Sequence, residues 1–268
     1  GSPAFHVRKY IPEHTCSLDS LVFHRPQATS KLIGHCIKWK YAGASQCYRP
    51  NDIVQDMKKR YGMTCTYNKA WRAREVAMTI ARGSPEQSYS VLPLYCAMLE
   101  MKNPRTVTHI ECDASNRFKY FFMALGGSIT GFRSSIRPVI AVDGTFMKSK
   151  YKGTLFIATC MDGNNQVYPL AFGIGDSEND NAWIWFMTKL HGCIGEVDDL
   201  VFISDRNTSI ATAIEHSFPG ALHGICMYHL GQNMKANCKC PSFLHKLFYK
   251  AAKAYRVSLF NEVMSQIT

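Results

Sequence analysis

Two apolar runs rich in β-branched residues stop at an aspartate: Arg137-Pro138-Val139-Ile140-Ala141-Val142-Asp143 and Leu200-Val201-Phe202-Ile203-Ser204-Asp205. Runs of that length and character read as strands buried on both faces. A chain that contains them has to build a sheet covered by helices. A carboxylate at the end of such a strand is costly to bury unless it is paired or binds a cation. Set side by side, Asp143 and Asp205 would offer hard oxygen donors to Mg²⁺ or Mn²⁺. Sites of that kind activate a water or hydroxyl for in-line attack on a phosphodiester. The competing reading of either acid is a helix or turn cap, and Ser204-Asp205-Arg206-Asn207-Thr208 could cap the helix that follows it.

The segments around the two aspartates fix an order of elements. Strands are expected over about 153–162 and 167–173, joined by the hairpin turn Asp162-Gly163-Asn164-Asn165. A helix follows, capped within Ser177-Glu178-Asn179-Asp180 and burying Trp183, Phe186, Met187 and Leu190. A further helix starts at Asn207-Thr208 and closes at Pro219-Gly220, and a last strand covers about 221–226. Three strands as a meander, then helix, strand, helix, strand, is the order of a ribonuclease-H-like α/β fold. In that order the Asp143 strand is central and neighbours the Asp205 strand. Upstream, Thr106–Glu111 reads as a strand and Arg117–Met123 as either strand or helix start.

The front half is basic. Residues 1–137 hold 20 Lys and Arg against 9 Asp and Glu, whereas residues 138–268 hold 11 of each. Such an asymmetry suits a front half that touches a polyanion, with a solvated surface as the alternative. Helices are expected from Arg49-Pro50 to Gly62, from Tyr67 to Ala81 with Trp71, Val76 and Ile80 inward, and from Pro85 to Asn103. Lys58, Lys59, Arg60, Lys69, Arg72 and Arg74 are the candidate DNA-contacting side chains of a helix-turn-helix-like bundle. The alternative is an ordinary helical subdomain. Phe5–Tyr10 alternates like a strand.

The 11 cysteines show no framework spacing and there is no signal-peptide pattern. Free thiols in a reducing compartment are expected, with Cys96, Cys112, Cys160 and Cys193 as small buried hydrophobes. His14-x-Cys16 is half of a possible zinc site or a pair of loop residues. Cys226-x-x-His229 is likewise half of a possible zinc site, or a buried Cys followed by a helix-start His. No apolar run reaches the roughly 18–20 residues that span a bilayer.

Five ordered motifs resemble the transposase domain of plant Mutator-like elements: Val142-Asp143-Gly144-Thr145-Phe146, Pro169–Gly173, Asn181–Phe186, Ile203–Arg206 and Gly224–His229. His14-Thr15-Cys16 resembles the end of the zinc finger that precedes those transposases, and Tyr48–Pro104 resembles their N-terminal helical region. The resemblance implies cut-and-paste DNA transposition by an Asp-Asp-Glu triad that works through Mg²⁺ or Mn²⁺, with Asp143 and Asp205 as the first two acids. It also implies DNA, specifically transposon terminal inverted repeats, as partner, and a nuclear location. Cys226 and His229 match a signature that follows the second acid. The expected organisation is a zinc-finger remnant and linker over 1–45, a basic helical DNA-binding region over 46–136, the catalytic core over 137–230 and the start of an inserted helical segment over 231–268.

The third acid of the family belongs to an Asn-x-x-Glu-Ser-like motif beyond the inserted helices, and no such motif occurs here. Glu262 is the only acid after Glu215, on a helix read as part of the insertion. The triad is therefore expected to be incomplete and enzyme activity stays open. The alternative is a non-catalytic, transposase-derived DNA-binding or transcription-regulating protein. A ribonuclease-H-like nuclease unrelated to transposition fits the fold but not the surrounding motifs. Bound zinc and homo-oligomer formation are left open.

Overall fold

The helices at the front of the chain begin where the sequence supplies caps. The computed structural model describes residues 7, 9–10, 12–13, 28–43, 48–148, 150–237 and 242–267. The chain divides into two compact units, residues 1–88 and 89–268. In the first unit, Thr29 caps α1 (Ser30–Ile37) by accepting from the Leu32 amide at 3.2 Å. Pro50 opens α2 (Pro50–Tyr61), whose first turn is closed by Asp52 accepting from the Arg49 amide at 2.7 Å. Gly62, at φ 61°, takes the left-handed conformation that ends α2. Thr66 caps α3 (Tyr67–Arg82) through the Lys69 amide.

The buried face of α3 differs from the expected one. Ala70, Ala73 and Ala77 are inward, while Trp71 and Ile80 are exposed and Val76 is half-buried. The cause is the close crossing of α1. A Cβ on Gly34 would lie 2.7 Å from Val76 Cγ1 and 2.9 Å from the Ala73 carbonyl. Only small residues fit such a contact, so the largest apolar side chains of α3 face outward. Ile33, Ile37, Ile53 and Met57 complete this core. At its rim the Lys40 ammonium donates to Asp56 at 2.6 Å and the Tyr48 hydroxyl donates to the same oxygen at 2.8 Å.

The helix expected over Pro85–Asn103 is two helices, α4 (Pro85–Ser90) and α5 (Leu92–Lys102), parted at Val91 with Pro93 in the first turn of the second. Val7, Lys9 and Tyr10 belong to no strand, and the rest of the Phe5–Tyr10 alternation lies outside the described residues.

The second unit is built on one seven-stranded sheet of order β1-β2-β5-β4-β3-β6-β7. Its strands are β1 (Val107–Cys112), β2 (Phe118–Ala124), β3 (Val139–Phe146), β4 (Thr154–Met161), β5 (Val167–Gly175), β6 (Val201–Ser204) and β7 (Leu222–Ile225). The pairs β1–β2, β2–β5, β5–β4 and β4–β3 are antiparallel; β3–β6 and β6–β7 are parallel. The sheet therefore reaches further toward the N-terminus than a core starting at 137. Phe122 of β2 pairs with Gly173 of β5, and its ring packs on Phe186. Arg117–Met123 resolves as strand. The compact units divide at 88/89.

The helices of this unit are α6 (Gly126–Ser135), α7 (Asp180–Ile194), α8 (Thr208–Ser217), α9 (Met227–Asn237), α10 (Ser242–Ala252) and α11 (Val257–Met264). Trp183, Phe186, Met187 and Leu190 of α7 are fully buried, as their spacing predicts. They pack on Phe122, Phe156, Val142 and Phe202 in one continuous core. Asn179 caps α7 through the Ala182 amide, and Asn207 caps α8 through the Ser209 amide. No helix among the described residues is long and apolar enough to cross a membrane.

Cys96, Cys160 and Cys193 are buried, but Cys112 is exposed at the irregular end of β1. Burial pushes the Cys160 thiol up to about 12 and the Cys193 thiol up to about 11. Neither forms a thiolate at neutral pH.

Candidate functional site

Strand direction decides what meets at the sheet edge. β3 and β6 run parallel, with Ala141 opposite Ile203. Continuing that register by two residues sets Asp143 level with Asp205. The two aspartates thus lie on neighbouring strands, Asp143 within β3 and Asp205 just past the end of β6. β5 is antiparallel to β4, which is antiparallel to β3, so β5 also runs with β3 and its C-terminal end falls on the same edge. β7 is parallel to β6 and adds its own end, where Cys226 stands.

Each aspartate has one oxygen engaged by backbone. Asp143 Oδ1 accepts from the Gly144 amide at 2.9 Å, and Asp205 Oδ1 accepts from the Asn207 amide at 2.9 Å. The Asp205 contact is the turn-capping role the sequence allows, and it leaves the second oxygen of the carboxylate for other work. The backbone at Asp205 is held from two sides. Ser204 Oγ donates to the Asp205 carbonyl at 2.8 Å and lies 2.8 Å from His223 Nε2, and the Cys226 amide donates to the Ser204 carbonyl at 2.6 Å. Burial lowers the His223 pKa, so the ring is neutral at physiological pH.

Cys226 and His229 are brought to Asp143. They line a cavity of about 300 Å³ with Asp143, Ser204 and Thr159. His229 Nδ1 is buried without a hydrogen-bond partner. One sulfur and one ring nitrogen fall short of the four ligands of a structural zinc site. His14 and Cys16 lie outside the described residues, so the other half-site has no structural description.

By local pattern Glu178 is only part of a helix cap. It stands three residues past the end of β5, half-buried, immediately before the Asn179 cap. Its carboxyl lies over Gly144: a Cβ there would come 2.8 Å from Glu178 Cδ. Burial pushes the Glu178 pKa up, and the charges of Asp205 and Asp143 push it in the same direction. The signal in the sequence is an acid just past a third core strand that runs with β3. Seeing it requires strand directions, which local patterns do not carry.

Among the described residues no Lys or Arg pairs with Asp143, Glu178 or Asp205. Carboxylate oxygens are the hard donors that Mg²⁺ and Mn²⁺ take. No three His, Cys, Asp or Glu side chains among the described residues are gathered to ligate one ion as they stand. Asp143 extends from the open face of β3, whereas the Glu178 carboxyl lies over Gly144 on the α7 face.

Of the candidate DNA-contacting residues, Lys58, Lys59 and Arg60 form the exposed C-terminal end of α2, and Arg72 is exposed on α3. Arg60 lies 3.9 Å from Asp56, Lys69 is half-buried, and Arg74 pairs with Glu75 at 2.9 Å.

Residues 139–233 match the model of the MULE transposase domain. Two Arabidopsis thaliana proteins are similar to this chain. Protein FAR1-RELATED SEQUENCE 4 is 22% identical over 162 residues, covering 60% of this chain and 22% of that protein. Protein FAR1-RELATED SEQUENCE 5 is 22% identical over 169 residues, covering 62% and 20%. The chain spans about a fifth of the length of these curated relatives. The matched segment contains all five motifs and both aspartates, so the resemblance read from them is borne out.

Proposed function

We propose, from the match of residues 139–233 to the MULE transposase domain, that the chain carries the catalytic core of a Mutator-like DNA transposase on a ribonuclease-H-like sheet. Its chemistry is divalent-metal-dependent cleavage and transfer of DNA strands at transposon terminal inverted repeats. The observation that carries this reading is the register of β3 against β6, which sets Asp143 level with Asp205 on adjacent parallel strands. Nuclear residence follows from DNA as the substrate.

In this reading Asp143 and Asp205 hold Mg²⁺ or Mn²⁺. The bound metal supplies activation of the attacking water or hydroxyl and stabilisation of the leaving 3′-oxygen. The protein's own contribution is positioning. Gly144 and Asn207 amides each fix one carboxylate oxygen. The His223–Ser204 pair and the Cys226 amide brace the backbone at Asp205 from the neighbouring strand. Rigid strands hold such a constellation better than loops do.

The test is Mn²⁺-dependent nicking of supercoiled plasmid by the chain beside Asp143→Asn and Asp205→Asn. Both substitutions keep the shape of the side chain and remove its charge. Nicking is expected in the parent and a loss of about 100-fold or more in each variant, the scale on which removing one electrostatic stabiliser costs rate. Nicking that survives both substitutions overturns the assignment.

A second reading, a transposase-derived DNA-binding or regulatory protein without catalysis, is favoured by one observation: residues 1–88 hold 14 Lys and Arg against 6 Asp and Glu. It predicts DNA binding that falls with salt and is unchanged by Asp143→Asn, with no nicking by the parent chain.

A further inference from the structure

We infer that the turn joining β3 to β4 grips the sugar–phosphate backbone of DNA, with Lys148 and Lys152 holding the strand whose phosphodiester reaches Asp143. The inference rests on the proposed reading of the chain as a DNA-cleaving core. It places a second DNA contact, separate from the basic residues 1–88, on the unit that carries the aspartates.

Charge is the first argument. Asp143 and Asp205 have no Lys or Arg partner among the described residues, so they repel a polyanion at the place where it is to be cut. Positive charge has to stand close by, and this unit concentrates it in one hairpin. Residues 144–161 hold three Lys and no Arg, Asp or Glu, whereas the rest of residues 138–268 hold 8 Lys and Arg against 11 Asp and Glu. Lys148 and Lys152 are exposed and carry no ion pair among the described residues. On the other side of the aspartates, Arg206 follows Asp205 directly and is exposed too. A lysine is a point charge on a flexible stem, suited to phosphate. Contacts of that kind position a strand without reading its sequence.

Geometry is the second. β3 continues for three residues past Asp143, still paired with β4 through Thr145–Leu155 and Phe146–Thr154. At about 3.3 Å per residue, the turn rises about 10 Å beyond Asp143. β6 stops at Ser204 and Asn207 already caps α8, so past the aspartates β3 has no strand on that side among the described residues. Thr145 and Phe146 are accordingly exposed. The opposite side of the turn is anchored. The Met147 amide donates to the Gly153 carbonyl at 2.9 Å. Gly153, at φ 95°, comes so near the end of β5 that a Cβ would lie 2.7 Å from the Gly175 carbonyl oxygen. Tyr151 meets Tyr89 edge-on at 5.7 Å between ring centroids, and Tyr89 packs on Phe118 of β2 at 4.8 Å. The turn is thus tied toward β5 and β2 and open toward β6, the side on which Asp205 stands. A loop that has to order on binding loses affinity, and these contacts order this one beforehand. Lys150 lies over the Tyr151 ring at 5.1 Å and is left out of the grip.

The test is fluorescence anisotropy of the full chain on a labelled duplex across a salt series, read beside Mn²⁺-dependent plasmid nicking. Lys148→Gln combined with Lys152→Gln is expected to reduce the slope of log affinity against log salt by about 1–2. The same variant should need about tenfold more DNA for half-maximal nicking, with a smaller change in the rate at saturating DNA. Lys246→Gln combined with Lys250→Gln removes as much charge from exposed positions of α10 and is expected to leave both readouts unchanged. A parental slope in the Lys148–Lys152 variant, or an equal fall in both double variants, overturns the grip, while the aspartates stand or fall by their own substitutions. A parent chain that binds DNA with a slope the Lys148–Lys152 variant lowers, but that does not nick, supports the grip and overturns the cleavage reading. A parent chain that binds no DNA overturns both.

Discussion

Asp56 shows how a single side chain organises the front of the chain. Hydrogen bonds from Lys40 and then Tyr48 hold its carboxyl below the usual carboxylate range. A group whose folded pKa is depressed contributes stability above its unfolded value and loses it as the pH falls through the folded value. The first unit should therefore lose stability on the acid side of the ordinary carboxylate range. Asp56→Asn should cost about 1–2 kcal/mol at neutral pH, the scale of a hydrogen bond to a charged group, and should flatten the acid limb of the profile. Urea unfolding from pH 7 down to pH 3 measures both. In the second unit the residue-scale feature is Gly144. The same glycine that follows a strand aspartate in the sequence makes room for Glu178 in the fold, so its meaning changes once the loop after β5 is placed.

At the scale of elements, the face a helix buries follows from what crosses it. On α3 the alanines are inward and Trp71 and Ile80 are outward, because α1 approaches at Gly34. Hydrophobicity alone ranks Trp71 and Ile80 above Ala73, and that ranking fails where backbones come close. Gly34→Ala tests the contact. In an open helix the change would stabilise by about 1 kcal/mol. Here the new Cβ meets Val76 and the Ala73 carbonyl below 3 Å, and overpacking should win by a net 1–2 kcal/mol, on the order of measured small-to-large costs. Thermal unfolding with and without the substitution reads the sign. The strands and their turn lay closer to the expected places. β3, β4 and β5 fall within a few residues of the apolar runs, and Asp162 closes the β4–β5 turn by accepting from the Asn164 and Gln166 amides. Their patterns are local, and so the sequence displays them.

At the scale of the whole molecule, charge is divided along the chain. Residues 1–88 hold an excess of Lys and Arg, and Lys58, Lys59 and Arg72 carry no ion pair among the described residues. DNA affinity should fall steeply with salt, and replacing Lys58, Lys59 and Arg72 together by Gln should reduce the slope of log affinity against log salt by about 2–3. Fluorescence anisotropy on a duplex across 50 to 200 mM salt, a range on the order of that over which phosphate contacts are screened, decides it; an unchanged slope removes these residues from the interface. The sequence by itself determined the order of the core strands, the stripe of α7, the two strand-end aspartates and the family resemblance, since each is written in contiguous residues with a period of 2 or 3.6. Only the tertiary structure decided that β1 and β2 join the same sheet, that α3 turns its alanines inward, and that Glu178 comes to lie over Gly144. Those outcomes depend on strand direction and on how closely two backbones approach, and these are relations between segments far apart in the chain that no local pattern encodes.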